Sequence, residues 1–172
     1  MKKYRTTARR FWAGIVDGLV FLPVGLFDQW VNIANLPLSM LVAWMLFSNA
    51  AILLYNVLMH GFYGQTLGKM ALGVKVLDVS ESPISMRQAF LRESAYIVFN
   101  AITVIISICL AFGGGPKIFH TTQTIVGTAS IIWFYAEILT CLTNKKRRAI
   151  HDFIAGTVVV KTTNAPVEVS EA

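Results

Sequence analysis

The chain has 172 residues, of which 55% are hydrophobic and 14% are charged, and its formal net charge is +6. Soluble domains carry roughly 25% charged residues, so this composition argues against a soluble domain and for an integral membrane protein. The positive charge needs no nucleic-acid partner, because basic loops beside membrane spans account for it.

Four long apolar runs predict four membrane-spanning helices. Each run approaches the ~20 residues that cross a hydrocarbon core of ~30 Å. The predicted spans are residues 11–27, 36–59, 94–112 and 124–142. We therefore predict an all-α membrane protein, a four-transmembrane-helix bundle within one membrane domain of residues 1–161. The tail at 162–172 has no periodicity and few aromatic residues, and is predicted to be disordered.

The basic residues predict the orientation of the bundle. Fourteen of the fifteen lysines and arginines lie before the first span, between spans two and three, or after the last span; the other is Lys117. Under the positive-inside rule both termini are cytoplasmic. We expect a multi-pass protein of a bacterial cell membrane. Cys109 and Cys141 then lie near opposite ends of their spans and cannot form a disulfide.

Two short β-branched segments predict a small cytoplasmic sheet. Residues 73–79 (GVKVLDV) and 156–161 (GTVVVK) lie in different loops on the same side of the membrane and can pair. The GQTLGKMAL segment before the first is expected to form a short interfacial helix with Lys69 at the lipid headgroups. It is not a phosphate loop, because Gly64 and Gly68 are too close together and Met70 replaces the required Ser or Thr.

Polar residues recur at a spacing of seven in every span. Seven residues make nearly two helical turns, so each set forms one stripe on its helix, and four stripes can converge on one axis. The stripes are Arg10–Asp17, Asn49–Asn56, Glu93–Asn100–Ser107 and Ser130–Glu137–Asn144. Two interpretations remain open: the stripes line a polar site, or the amides and hydroxyls only join neighbouring helices.

Asp17 is the most costly of these residues, because a charged side chain at mid-bilayer costs about 2.5–3.5 kcal/mol. It is therefore expected to face the other helices, and its removal is expected to harm function more than folding. Gly14 and Gly18 beside it are expected to allow a neighbouring backbone to approach closely. Glu137 is expected at a similar depth, reachable from the cytoplasm.

Three motifs in order resemble one family of small membrane proteins. They are the Arg10–Asp17 pair, GQTLGKMALGVKVLD after the second span and RRAIHDFIAGTVVV after the last. The chain resembles the RDD family, named for one arginine and two aspartates, from about Arg10 to Lys161. The resemblance implies that Arg10, Asp17 and Asp152 are these three residues. It also implies a role in transport of ions or small solutes, which has been proposed for the family, with sodium–proton exchange suggested for some members.

Asp152 has two candidate partners. Helical side chains lean toward the helix N-terminus, so Arg10 points toward the cytoplasmic mouth, where Asp152 can meet it. Alternatively, Asp152 pairs with Arg147 or Arg148 in its own loop.

Two classes of function remain. The first is a transporter or exchanger of protons, cations or small solutes. Its candidate ion-binding residues are Arg10, Asp17, Asn56, Glu93, Asn100, Glu137 and Asp152. The second is a membrane scaffold or accessory subunit that docks a partner through its cytoplasmic face. No nucleophile–base pair, cofactor motif or metal-ligand spacing is visible, so we expect no enzyme, cofactor or metal. The expected partners are the lipid bilayer, an ion or small solute, and further copies in a homo-oligomer, because four spans are few for alternating access.

Overall fold

The computed structural model describes residues 2–34, 36–111 and 116–162. A 3₁₀ helix at Lys2–Tyr4 precedes eight α-helices and two strands. In chain order these are α1 (Thr7–Val20), α2 (Leu22–Ile33), α3 (Leu38–Tyr63), α4 (Leu67–Ala71), β1 (Val74–Asp78), α5 (Met86–Arg92), α6 (Ser94–Ala111), α7 (Pro116–Thr143), α8 (Ile150–Ile154) and β2 (Thr157–Lys161).

The long helices have the length and surface of membrane spans. Ser39–Tyr63 and Thr124–Thr143 have mean hydropathies of 1.8 and 1.7, and only 6% of each apolar window is buried inside the protein. Apolar side chains that face outward need a lipid environment. The pairs α1–α2 and α5–α6, each bent by 55°, pass the same test as broken spans. The predicted helical membrane bundle is therefore confirmed, with four spans when each bent pair is counted as one span.

The first span is not the continuous helix that its apolar run predicts. It breaks at Phe21, which separates α1 from α2. Pro23 lies two residues further on, and a proline lacks the backbone N–H and clashes with the carbonyl four residues earlier. The bend therefore has a local cause, and Asp17 lies in the last turn before it.

The predicted two-stranded sheet is confirmed. β1 and β2 pair in antiparallel register, with Val76 opposite Val159. These valines are fully buried and pack with Ile84 and Ala89 into a small hydrophobic core. Thr162 continues the pairing by donating its N–H to the Gly73 carbonyl at 3.0 Å, so the predicted disorder does not begin there. The remainder of the predicted tail, 163–172, lies outside the described residues.

The sheet places three parts of the chain on one side of the membrane. It joins the segment after α3 to the segment after α7. Thr6, just before α1, donates to the Val159 carbonyl at 3.4 Å. The chain must therefore cross the bilayer an even number of times between these points. The α1–α2 span with α3, and then α6 with α7, satisfy this requirement.

The two halves of the protein end in the same structure. α4 with β1 and α8 with β2 have the same lengths and lie 83 residues apart (150 − 67 and 157 − 74). The same offset relates two pairs of residues that have a positive backbone φ angle. Gly64 (φ 69°) corresponds to Arg147 (φ 52°), and Gly73 (61°) corresponds to Gly156 (66°). The sheet pair Val76–Val159 has this offset as well, so the two repeats meet about a local twofold axis.

We expect cysteine labelling to place both basic ends of the chain inside the cell. In a Cys109→Ser, Cys141→Ser background, Lys145→Cys is expected to resist an impermeant thiol reagent in intact cells, whereas Ser39→Cys reacts. The reason is the basic loop charge, which is retained on the cytoplasmic side. Labelling of both positions after permeabilisation is the control. A Lys145→Cys variant that reacts in intact cells would contradict this topology.

Candidate functional site

The bundle contains a partly open cavity of about 1020 Å³, lined by residues of α1, α3, α6 and α7 together with the short helices α4, α5 and α8. The cavity walls include a member of every predicted polar stripe: Arg10, Asn56, Glu93, Asn100, Ser130 and Glu137. The stripes therefore do converge. Much of the remaining wall is aromatic or aliphatic, including Phe11, Tyr96, Phe99 and Trp133.

Asp152 of α8 is buried beneath two guanidinium groups. Its Oδ2 lies 2.7 Å from Arg10 Nη2, and its Oδ1 pairs with Arg92 Nη1. The Ala149 N–H donates to Oδ2 at 2.9 Å, and the Thr157 hydroxyl lies 3.4 Å from Oδ1. Burial alone raises the pKa of this carboxyl, but Arg92 and Arg10 outweigh burial and hold the pKa well below its usual value. Asp152 is therefore a fixed negative charge.

This arrangement decides between the two predicted partners of Asp152. Arg10 is confirmed as one of them. Arg147 and Arg148 instead use backbone carbonyls: the Arg148 guanidinium donates to the main-chain oxygen of Asp152 at 2.9 Å. Arg92 is buried and supplies the second charge.

Glu137 faces His151 at the wall of the cavity. His151 Nδ1 lies 2.8 Å from Glu137 Oε2, and the His151 main-chain N–H donates to Oε1 at 3.1 Å. On the other side of the ring, Nε2 lies 3.2 Å from Arg10 Nη2. Burial lowers the pKa of His151 although Asp152 opposes this shift. A neutral ring that carries its proton on Nδ1 accepts a hydrogen bond from Arg10 at Nε2. Its Nδ1–H group then points toward the Glu137 carboxylate.

A second cluster of titratable side chains lies on the cavity wall, where it joins α3 and α4. Lys69 Nζ lies 2.6 Å from His60 Nε2, and His60 Nδ1 lies 4.0 Å from Glu93 Oε1. His60 is 2% exposed. The prediction that Lys69 lies at the lipid headgroups is wrong, because α4 packs against α1 and turns this side chain into the cavity.

Asp17 lies against α4 and is not among the described residues that line the cavity. Its carboxylate accepts three hydrogen bonds: from Tyr55 Oη at 2.9 Å, from Thr66 Oγ1 at 2.6 Å and from the Gly68 N–H at 2.8 Å. Tyr55 Oη in turn accepts from the Leu67 N–H at 2.9 Å. Asp17 does face other helices, as predicted, and its bonds are those of an anchor for the start of α4.

The close backbone approach beside Asp17 occurs at a different glycine from those predicted. A side chain at Gly14 or Gly18 would meet nothing within 4 Å, so these glycines do not pack against a neighbour. At Gly68, a Cβ would lie 2.1 Å from the Ala13 carbonyl oxygen and 2.9 Å from Asp17 Cγ. The second glycine of GQTLGK therefore lets α4 rest directly on α1.

Sequence reasoning missed four residues of the site, each for the same reason. His60, Lys69, Arg92 and His151 all line the cavity, but none belongs to a heptad stripe within a predicted span. The sequence did carry a signal for two of these residues, because Lys69 and Arg92 are charged and lie next to apolar segments. Only the packing of α4, α5 and α8 under the bundle brings them inward.

Comparison with known proteins identifies the family. A model of the RDD family matches residues 4–156. No curated protein and no solved structure matches the chain. The family match covers most of the chain, and the chain therefore belongs to the RDD family.

We expect Asp17→Asn to lower thermal stability, because an amide offers one acceptor oxygen where the carboxylate uses two. Hydrogen bonds to charged groups contribute about 1.5–3 kcal/mol each, so a clear fall in Tm in detergent is expected. This replaces the expectation that loss of Asp17 harms function more than folding. Thr66→Val should also lower the Tm, because it removes the hydroxyl that donates to Asp17. Thr66→Ser keeps this hydroxyl and should not lower the Tm. An unchanged Tm in Asp17→Asn would show that the anchor is not needed.

We expect Asp152→Asn to destabilise the fold by about 3–5 kcal/mol near neutral pH, because it leaves two buried guanidinium groups without a counter-charge. The pKa of Asp152 is depressed in the folded state, so its stabilisation is complete above the unfolded pKa, about 4. It is lost as the pH falls through the folded value. The difference in Tm between wild type and variant should therefore narrow only on acidification below about pH 4.

Glu81→Gln is the matched control for this experiment. Glu81 pairs with Lys3 at 2.7 Å on the surface, and exposed pairs contribute only about 0–1 kcal/mol. A variant at Asp152 that loses no more stability than Glu81→Gln would contradict the anchoring role.

Proposed function

We propose that this RDD family member is a membrane transporter or exchanger that passes protons, cations or small polar solutes through its central cavity. The observation that carries the proposal is the pair of carboxylates, Glu93 and Glu137, on the wall of one cavity inside a four-span bundle. Ionisable groups held within a membrane protein are costly and are found where an ion or proton path needs them.

The charges around the cavity favour a cationic substrate. Arg10 and Arg92 line the cavity, but each is paired with Asp152, which is not among the described lining residues. Glu93 and Glu137 each face an imidazole within 4.0 Å, and the described residues offer neither of them an arginine or lysine within that distance. A cation that enters the cavity would therefore meet carboxylates that are not already neutralised by a direct ion pair.

The cavity also offers neutral oxygen ligands deeper in the bundle. Asn56 of α3, Asn100 of α6 and Ser130 of α7 lie on its wall. Asn100 uses its amide nitrogen to donate to the Tyr96 carbonyl at 2.8 Å. Its amide oxygen is the atom suited to a hard cation, which prefers oxygen ligands.

The repeat supports the same proposal. Residues of both halves line the cavity, from Thr7 to Lys69 and from Arg92 to His151. Many transporters consist of structural repeats, and their substrate sites lie where the repeats meet. Here Asp17 and Asp152 act as anchors that hold α4 and α8 beneath the cavity, and Glu93 and Glu137 bind the substrate.

Flux measurements with purified protein in liposomes test the proposal. We expect proteoliposomes to dissipate a proton or monovalent cation gradient faster than empty liposomes, and Glu137→Gln and Glu93→Gln to reduce the rate about tenfold or more. The reason is that the amide preserves shape but removes the charge that a cation binds. Glu81→Gln, on the cytoplasmic surface, should transport as wild type does.

Two results would contradict the proposal. Wild-type proteoliposomes without flux above background, for protons, alkali cations and small organic cations alike, would end the transport interpretation and favour a scaffold that docks a partner. Normal flux in the Glu93→Gln, Glu137→Gln double variant would end the assignment of these carboxylates. Size-exclusion profiles of each variant show whether it assembles.

A further inference from the structure

Lys69 and His60 form an unusually close contact between two bases. Their nitrogens are 2.6 Å apart, which is hydrogen-bonding distance, so one nitrogen donates and the other accepts. A lysine ammonium and a protonated imidazole at this separation would repel each other, so the contact is incompatible with both groups being charged. Either the ammonium donates to a neutral ring, or the ring donates to a neutral amine.

The surroundings of this pair make loss of its proton accessible. Burial and the guanidinium of Arg92 lower the pKa of Lys69 to about 7. The charged or titratable groups around the pair come from every neighbouring element: Arg10 and Asp17 of α1, Arg92 of α5, Glu93 at the α5–α6 turn, and His151 of α8. The arginines disfavour the ammonium, whereas Asp17 and Glu93 favour it.

The repeat provides an internal comparison. Lys69 and Asp152 occupy the same position of α4 and α8, because they are related by the offset of 83 (152 − 69). In the second half the charge is fixed, since Asp152 is paired with both Arg10 and Arg92. In the first half the corresponding side chain is an amine against a second base, on the wall of the cavity. One repeat therefore carries a fixed charge at this position, and the other carries two bases in direct contact.

We propose that Lys69 and His60 hold one exchangeable proton between them and form the proton-binding site of the cavity. Glu93 lies 4.0 Å from the far nitrogen of His60, so a cation that binds at Glu93 comes close to this proton. Entry of the cation favours release of the proton by electrostatic repulsion, and return of the proton favours release of the cation. This coupling rests on the proposed function, whereas the proton site itself can be measured without transport.

The site is tested by NMR titration of protein labelled with ¹³C at the lysine ε-carbons, in detergent micelles. The Lys69 signal is identified by its absence in Lys69→Met. We expect it to titrate with a midpoint near 7, while the other lysines titrate near their usual value of about 10.4. His60→Leu should move the Lys69 midpoint downward, because the ammonium loses its acceptor, and His60→Gln should move it less.

Flux measurements separate this inference from the proposed function. In proteoliposomes that transport, Lys69→Met and Lys69→Arg should remove the change in rate between about pH 6 and about pH 8, while Lys145→Met, at an exposed position, should retain it. A Lys69 signal that titrates with the other lysines, or a midpoint unaffected by His60→Leu, would overturn the proton site even if flux is normal. A Lys69 midpoint near 7 without any wild-type flux would leave the site standing and end the transport proposal.

Discussion

The buried Asp152 carboxylate between Arg10 and Arg92 is the interaction on which the rest of the structure depends. It joins the first span, the start of the third and the short helix after the fourth. These segments are distant in the chain, and each charge would be very costly to bury alone. Together they hold α8 beneath the bundle, and with it the sheet and the imidazole of His151. Removal of Asp152 would leave both arginines without a counter-charge.

The short helices α4 and α8 are held by the same physical means. Asp17 accepts the Gly68 N–H near the start of α4, and Glu137 accepts the His151 N–H near the start of α8. Each of these two carboxylates therefore satisfies a main-chain donor that the short helix itself leaves unpaired. The cost of a charged group in the membrane is offset by these bonds. The polar side chains of the cavity wall on α4 and α8 are positioned as a result.

The two repeats share a backbone and differ in chemistry. At corresponding positions, one carries a carboxylate neutralised by two arginines and the other carries an amine beside an imidazole. A site of this kind needs a rigid support as well as a group that can change its charge. In the proposed mechanism, the paired carboxylate supports the bundle and the amine–imidazole pair exchanges the proton.

The sequence by itself determined the four spans, the segments that form the sheet and the polar stripe on each helix. These are local properties: the length of an apolar run, the alternation of β-branched residues and a spacing of seven. It also offered Arg10 as a partner of Asp152, from the lean of helical side chains toward the helix N-terminus, with Arg147 or Arg148 as the alternative. The tertiary structure decided that Arg92 is the second partner, that Lys69 faces inward and that Gly68 makes the close contact expected at Gly14 and Gly18. These contacts depend on the bend at Phe21 and on how α4 and α8 pack beneath the spans, and interactions between residues far apart in the chain set that geometry.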